Sequence, residues 1–234
     1  MNICFLYTLQ ANEVLFKPYI DKYLKELPVT ISHHTNERLL QNAMEDGLTE
    51  QVANDVQQTI TEIAKSNTES NVDIIICTCS TIGDLAEKTP NISAKIIRVD
   101  RPMAEAAVQH DNILVLAALS STLKPTVELL HSVNTEGKTS KHLDQPTTKP
   151  KNLPFIQTEL VPKAWPYYFA GNTEMYARII AAHINAVKTK PDIVVLAQAS
   201  MAPAVQYCNE SSFEILTSPE LCLRYLAGAV KLHA

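Results

Sequence analysis

The 234-residue chain is 46% hydrophobic and 19% charged, enough apolar sequence for a well-buried core of one large domain or two small ones. Its formal net charge of -5 lacks the basic footprint that steers proteins onto nucleic acid or anionic lipid, so a small molecule is the expected partner. No apolar run approaches the roughly 18 residues that a bilayer span requires, and MNICFLYTLQANEV has no basic region ahead of its short apolar stretch, so the expectation is a cytoplasmic protein without membrane contact.

Taken in chain order, β-branched runs alternate with amphipathic segments, the pattern of parallel strands joined by helical crossovers. Strands are predicted at Asn2 to Thr8, Val29 to His34, Val72 to Cys79 and Lys95 to Val99, then at Asn112 to Ala118, Phe155 to Val161, Asp192 to Ala197 and Phe213 to Leu216. Helical spacing of apolar residues runs through Glu13 to Glu26, Leu48 to Ala64, Leu123 to His131 and Met175 to Val187. Ser218-Pro219-Glu220 offers an N-cap, a proline at the first helical position and a first-turn carboxylate, so a last helix is expected to about Lys231. Thr135 to Pro154 is rich in lysine, threonine and proline and reads as a long polar loop, either a solvated connection or a lid. The five cysteines are an odd number in a chain without an export signal, so free thiols are expected rather than a disulfide framework.

The chain repeats itself. NVDIIICTCSTI beside KPDIVVLAQASM aligns Asp73 with Asp192 and Cys79 with Gln198, and NICFLYTL beside NILVLAAL aligns Asn2 with Asn112. The expected fold class is α/β, with two pseudo-symmetric parallel-sheet domains and an active-site cleft between them, where the carboxyl ends of the strands meet. Residues 1–98 with 208–234 are assigned to the first domain and 99–207 to the second.

Cys79 and Gln198 then flank the cleft. After Cys79 the chain turns from strand to helix, with Ser80 or Thr81 as N-cap and Asp84 completing a weak capping box. Free backbone N–H groups at a helix start attract anions and favour the thiolate form of a cysteine placed there. Ala199 and Ser200 repeat the arrangement ahead of Met201 to Gln206, where Pro203 suits an early helical turn. Against this stands the reading of Cys79 as a small buried hydrophobe, the reading given to Cys77. A Cys-x-Cys metal site lacks a second pair at zinc-like spacing, so no metal is expected. His33 and His34 end a strand, so one could enter the cleft, although a hydrogen-bonded structural histidine is the favoured reading and neither is taken as catalytic. With five glycines and no Gly-rich phosphate loop, nucleotide chemistry has little support.

The ordered set of CSTIG, LAQASM, RVDRPMAEAAV (Arg98 to Val108), LSSTLKPT (Leu119 to Thr126), the segment around Asn36, Glu37 and Leu39, and AWPYYFAGN (Ala164 to Asn172) resembles the aspartate/glutamate racemase superfamily. That resemblance covers most of the chain. It implies a cofactor-independent isomerase in which two thiols serve opposite faces of a substrate whose carboxylate is held by backbone N–H groups and hydroxyls. Carried over by position, Cys79 matches the first cysteine, and the second falls on Gln198. A glutamine amide neither accepts nor releases a proton near neutral pH, so two-thiol inversion cannot run through this pair.

Candidates for the carboxylate cradle are Thr8, Ser80, Thr81, Ser121, Thr122, Ala199 and Ser200, each also readable as a cap or turn residue. The expected function is a racemase- or isomerase-type enzyme acting next to a carboxylate, with Cys79 as thiolate base or nucleophile and Gln198 as hydrogen-bond donor to a developing oxyanion. A one-thiol decarboxylase and a non-catalytic binder of small acids are the alternatives. A homodimer is the expected assembly, symmetric dimers being the commonest.

Overall fold

The structure, a computed structural model, describes residues 1–65, 71–139, 153–210 and 212–232. Among them two four-stranded parallel sheets organise the chain. The first contains β1 (Asn2–Tyr7), β2 (Thr30–Thr35), β3 (Ile74–Cys77) and β4 (Lys95–Arg98) in the order β2-β1-β3-β4. The second contains β5 (Asn112–Ala117), β6 (Phe155–Leu160), β7 (Ile193–Leu196) and β8 (Glu214–Thr217) in the equivalent order β6-β5-β7-β8.

The duplication extends to single hydrogen bonds. Asp73 Oδ2 accepts the N–H of Asn2 at 2.7 Å, and Asp192 Oδ2 accepts that of Asn112 at 2.8 Å. Each aspartate returns its own N–H to the asparagine carbonyl at 2.9 Å. The two carboxylates thereby fix the same register at the start of both sheets, pairing Ile3 with Ile74 and Ile113 with Ile193.

Central strands flanked by helices on both faces must be apolar throughout, and β3 and β7 are buried along their whole length. Alternation divides their neighbours by face. Phe5 and Ile76 pack with Leu223 and Leu226 of α9 (Ser218–Leu232), while Leu6 and Ile75 pack with Val56 and Ile60 of α3 (Glu50–Lys65). In the second sheet Leu116 and Val194 meet Ile180 and Ile184 of α8 (Thr173–Asn185), and Val115 and Val195 meet Leu129 and Leu130 of α6 (Ser120–Thr139). The chain's last elements are shared: β8 pairs with β7, whereas α9 returns to the first sheet. Residues 214–217, placed with the first domain by the sequence division, thus lie in the second sheet's ladder.

Four local expectations change. The helix after Cys79, α4 (Gly83–Glu87), starts later than expected, is preceded by Ile82 and has no side-chain cap; Asp84 pairs instead with Lys88 at 2.7 Å. The segment after Gln198 is a 3₁₀ helix over Ala199–Tyr207. The Ser218 hydroxyl is buried without a hydrogen-bond partner, so it does not cap α9. Residues 135–139 continue α6 rather than opening a loop. The rest of the expected polar loop, residues 140–152, lies outside the described residues. Among the described residues no helix is long and apolar enough to cross a membrane. All five cysteines are free.

Burial raises the phenols of Tyr7 and Tyr176 above their ordinary range and that of Tyr168 to about 12, and it raises the thiols of Cys77 and Cys222. Each group keeps its proton in the fold at a pH where the unfolded chain has lost it. The unfolded state then binds fewer protons, and stability falls as pH rises. Thiols ordinarily ionise near 9.0 and phenols near 10.0, so the loss begins near pH 9 and steepens toward 12. Urea unfolding is expected to give a lower midpoint at pH 10.5 than at pH 8, and an unchanged or higher midpoint would contradict this origin.

Candidate active site

The strand ends of the two sheets face each other across a narrow cleft. Its inner chamber is only about 30 Å³, room for roughly one water. From the first sheet it is lined by Thr8 after β1 and by Thr78, Cys79, Ser80 and Thr81 after β3. The second sheet contributes Leu119 and Thr122 after β5, and Gln198, Ala199 and Ser200 after β7. Eight of the nine residues singled out from the sequence therefore meet in one chamber. Ser121 does not: Thr122 takes the cleft-facing position on α6, and the Ser121 hydroxyl is buried without a partner.

Cys79 lies two residues beyond β3, in a turn braced from behind. Arg98 and Asp100 form a buried ion pair, Nε to Oδ1 at 2.7 Å and Nη2 to Oδ2 at 3.0 Å, with side chains 2% and 0% exposed. Arg98 Nη2 also donates to the Ser80 carbonyl at 3.2 Å. Burial opposes charge on Arg98, but the charge and hydrogen bonds of Asp100 outweigh it and raise the guanidinium pKa, so Arg98 stays charged. The Cys77 thiol points at the Cys79 carbonyl, 3.7 Å away, so Cys77 supports the turn and does not face the chamber. Among the described residues no cluster of His, Cys, Asp and Glu could hold a metal ion. His33 stacks on Tyr7 and bonds its hydroxyl at 3.1 Å, away from the chamber.

Gln198 breaks the symmetry. Its Oε1 accepts the N–H groups of Ala118 at 2.6 Å and Leu119 at 3.0 Å, at the entry to α6. The repeat makes Thr8 and Leu9 their counterparts, and the N–H groups of Thr8 and Leu9 have no partner among the described residues. The same holds for the N–H groups of Ser80 and Thr81, and the Ser80 hydroxyl is buried and unpartnered as well. Beside Cys79, four backbone N–H groups and one hydroxyl thus have no partner among the described residues, whereas the two N–H groups at the entry to α6 are taken by the Gln198 amide oxygen. Gln198→Ala should leave two donors unsatisfied and cost about 2 kcal/mol in urea unfolding, whereas Gln198→Glu keeps the acceptor and should unfold near the wild-type midpoint. Equal destabilisation by both would contradict the bracing role of the amide oxygen.

Sequence reading missed the other walls: Asn12 of α1 (Gln10–Tyr23), Leu40 of α2 (Arg38–Glu45) and Trp165 of α7 (Trp165–Phe169). Two polar contacts cross the cleft, Thr81 Oγ1 to Thr122 Oγ1 at 3.2 Å and the Tyr168 hydroxyl to Asn12 Oδ1 at 2.7 Å. Ser200 is held from the side by Tyr176 at 2.9 Å.

No protein-family model matches the sequence, and no curated protein matches it. Solved structures do match. A glutamate racemase from Bacillus anthracis superposes with a TM-score of 0.64 at 14% identity, covering 99% of this chain and 82% of that one. An aspartate racemase from Picrophilus torridus gives 0.62 at 15% identity, covering 99% and 98%. The chain has the fold of the aspartate and glutamate racemases. A third such structure, glutamate racemase from Francisella tularensis in complex with D-glutamate, has a TM-score of 0.61 at 10% identity over 99% of this chain and 81% of that one. Identities this low carry the racemase fold and leave the chemistry to be argued from this cleft.

Proposed function

We propose that this chain is a cofactor-independent enzyme of the racemase and isomerase type, acting at the carbon next to the carboxylate of a small acid or amino acid, with Cys79 as thiolate base or nucleophile. The observation that carries this reading is the set of open donors beside Cys79. The free N–H groups of Thr8, Leu9, Ser80 and Thr81 and the unpartnered Ser80 hydroxyl are what a carboxylate requires, and a thiol stands next to them.

The engaged oxygen of Gln198 supports a division of labour. With Oε1 engaged, the Gln198 amide has only its NH₂ to offer the chamber, and the role that fits is donation to the oxygen on which charge develops. It cannot return a proton, so any proton reaching the second face comes from another group or from water. An amino-acid head does not fit a chamber of about 30 Å³, and the reading therefore includes opening of the cleft, with release of the Thr81–Thr122 and Asn12–Tyr168 contacts.

The test is incubation in D₂O with amino, hydroxy, unsaturated and malonic acids, followed by NMR, with Cys79→Ser alongside. Proton exchange or conversion that disappears in the variant is the expected result. Silence across the panel with ligand-induced shifts in protein resonances would replace the enzyme with a small-acid binder. That second reading draws on one specific feature, the lack of an ionisable side chain at position 198.

A further inference from the structure

The inner chamber opens toward a second, larger one of about 620 Å³, and Leu9, Leu40 and Trp165 line both. Among the described residues no Asp, Glu, Lys, Arg or His lines the inner chamber. In the outer one the apolar surface comes from Leu9, Leu40, Met44, Trp165 and Phe169, the last 80% exposed. Among the described residues its carboxylates are Glu37 and Glu45, and none of those lining either chamber is a lysine or an arginine. Both glutamates are anchored at the rim: Glu37 Oε1 accepts the N–H of Gln10 at 3.0 Å, and Glu45 Oε1 accepts Gln41 Nε2 at 3.0 Å.

Resting on the function proposed above, we infer that the outer chamber receives the tail of the substrate and selects an apolar stem ending in a cation, against a second carboxylate. The head of the substrate occupies the donors around Ser80, whose buried hydroxyl is unpartnered. Toward the outer chamber the tail passes Leu9, Leu40 and Trp165, which favour methylene groups or a ring. Beyond them an acidic tail would meet Glu37 and Glu45 with no cation among the described lining residues to offset them, while an ammonium or guanidinium would find opposite charge. A dicarboxylic amino acid is thus disfavoured at its far end although its head would fit.

The test compares lysine, norleucine and glutamate, each as both enantiomers, by calorimetric titration of the wild type and of the Glu37→Gln/Glu45→Gln double variant, with α-proton exchange in D₂O followed in parallel. Lysine is expected to bind about fivefold more tightly than norleucine, the size that two solvent-exposed carboxylates supply, and glutamate most weakly. The double variant should bring lysine to the norleucine level and leave norleucine unchanged. Glutamate binding as well as lysine, lysine no tighter than norleucine, or no binding by any of the three would overturn the inference. Lysine preference without exchange would sustain the tail chamber and remove the catalytic reading. Exchange with glutamate preferred would do the reverse.

Discussion

Arg98→Met is expected to destabilise the fold by about 3–5 kcal/mol, the cost of leaving a buried charge unpaired. Asp100 is 0% exposed and its two carboxylate oxygens are both held by Arg98, so nothing replaces the lost partner. Removing both charges, as in Arg98→Met/Asp100→Leu, should recover much of the loss, because well-packed apolar groups avoid the desolvation of the pair. The recovered protein would still lack the bond from Arg98 to the Ser80 carbonyl, and with it the brace behind the Cys79 turn. Its substrate turnover should therefore remain depressed after its stability returns. Gly83 belongs to the same unit: a Cβ there would lie 2.9 Å from Arg98 Cβ and Nε, so this position has no room for a side chain. Urea unfolding of the single and double variants checks the first part, and a single variant within 1 kcal/mol of wild type would contradict it.

Cys79→Ser is expected to lower turnover by roughly 10³-fold, within the range that loss of a positioned proton-transfer group gives. A serine hydroxyl is close in shape and keeps the turn, but at neutral pH it is not a base. Cys77→Ala provides the contrast. Cys77 is fully buried in β3, its thiol directed at the Cys79 carbonyl and away from the chamber, so its loss should cost some stability and leave turnover of the same order. A Cys79→Ser enzyme within a few fold of wild type, or a Cys77→Ala enzyme as impaired as Cys79→Ser, would remove Cys79 from the role assigned to it.

The sheets could be read in the sequence because their central strands are buried on both faces and written as runs such as Ile74-Ile75-Ile76 and Ile193-Val194-Val195. The repeat could be read for the same reason, with Asp73 and Asp192 carrying matching structural duties. Short elements escaped. Neither α2 nor α7, of eight and five residues, has a side-chain cap, yet they supply Leu40 and Trp165 to the cleft. The capping box at Thr81 and Asp84 failed because the turn after Cys79 is set by Arg98, which reaches it from another strand and leaves α4 to begin at Gly83. Gln198 was legible as a cleft residue but not as a brace. Its oxygen serves N–H groups 79 and 80 residues away in sequence, a relation that no local pattern encodes. Ser121 was misplaced by one position on a helix, where a single step turns a side chain about 100°.

The central claim is that Cys79 works without a partner thiol, and the handedness of the C–D bond formed in D₂O tests it most directly. For the acid that reacts, deuterium incorporation and the appearance of the opposite enantiomer are followed in one time course. Deuterium entering with retained configuration, roughly 10²-fold faster than inversion, is the predicted result, since Gln198 cannot deliver a proton to the face opposite Cys79. Inversion keeping pace with exchange would contradict the account and require a second proton donor opposite Cys79.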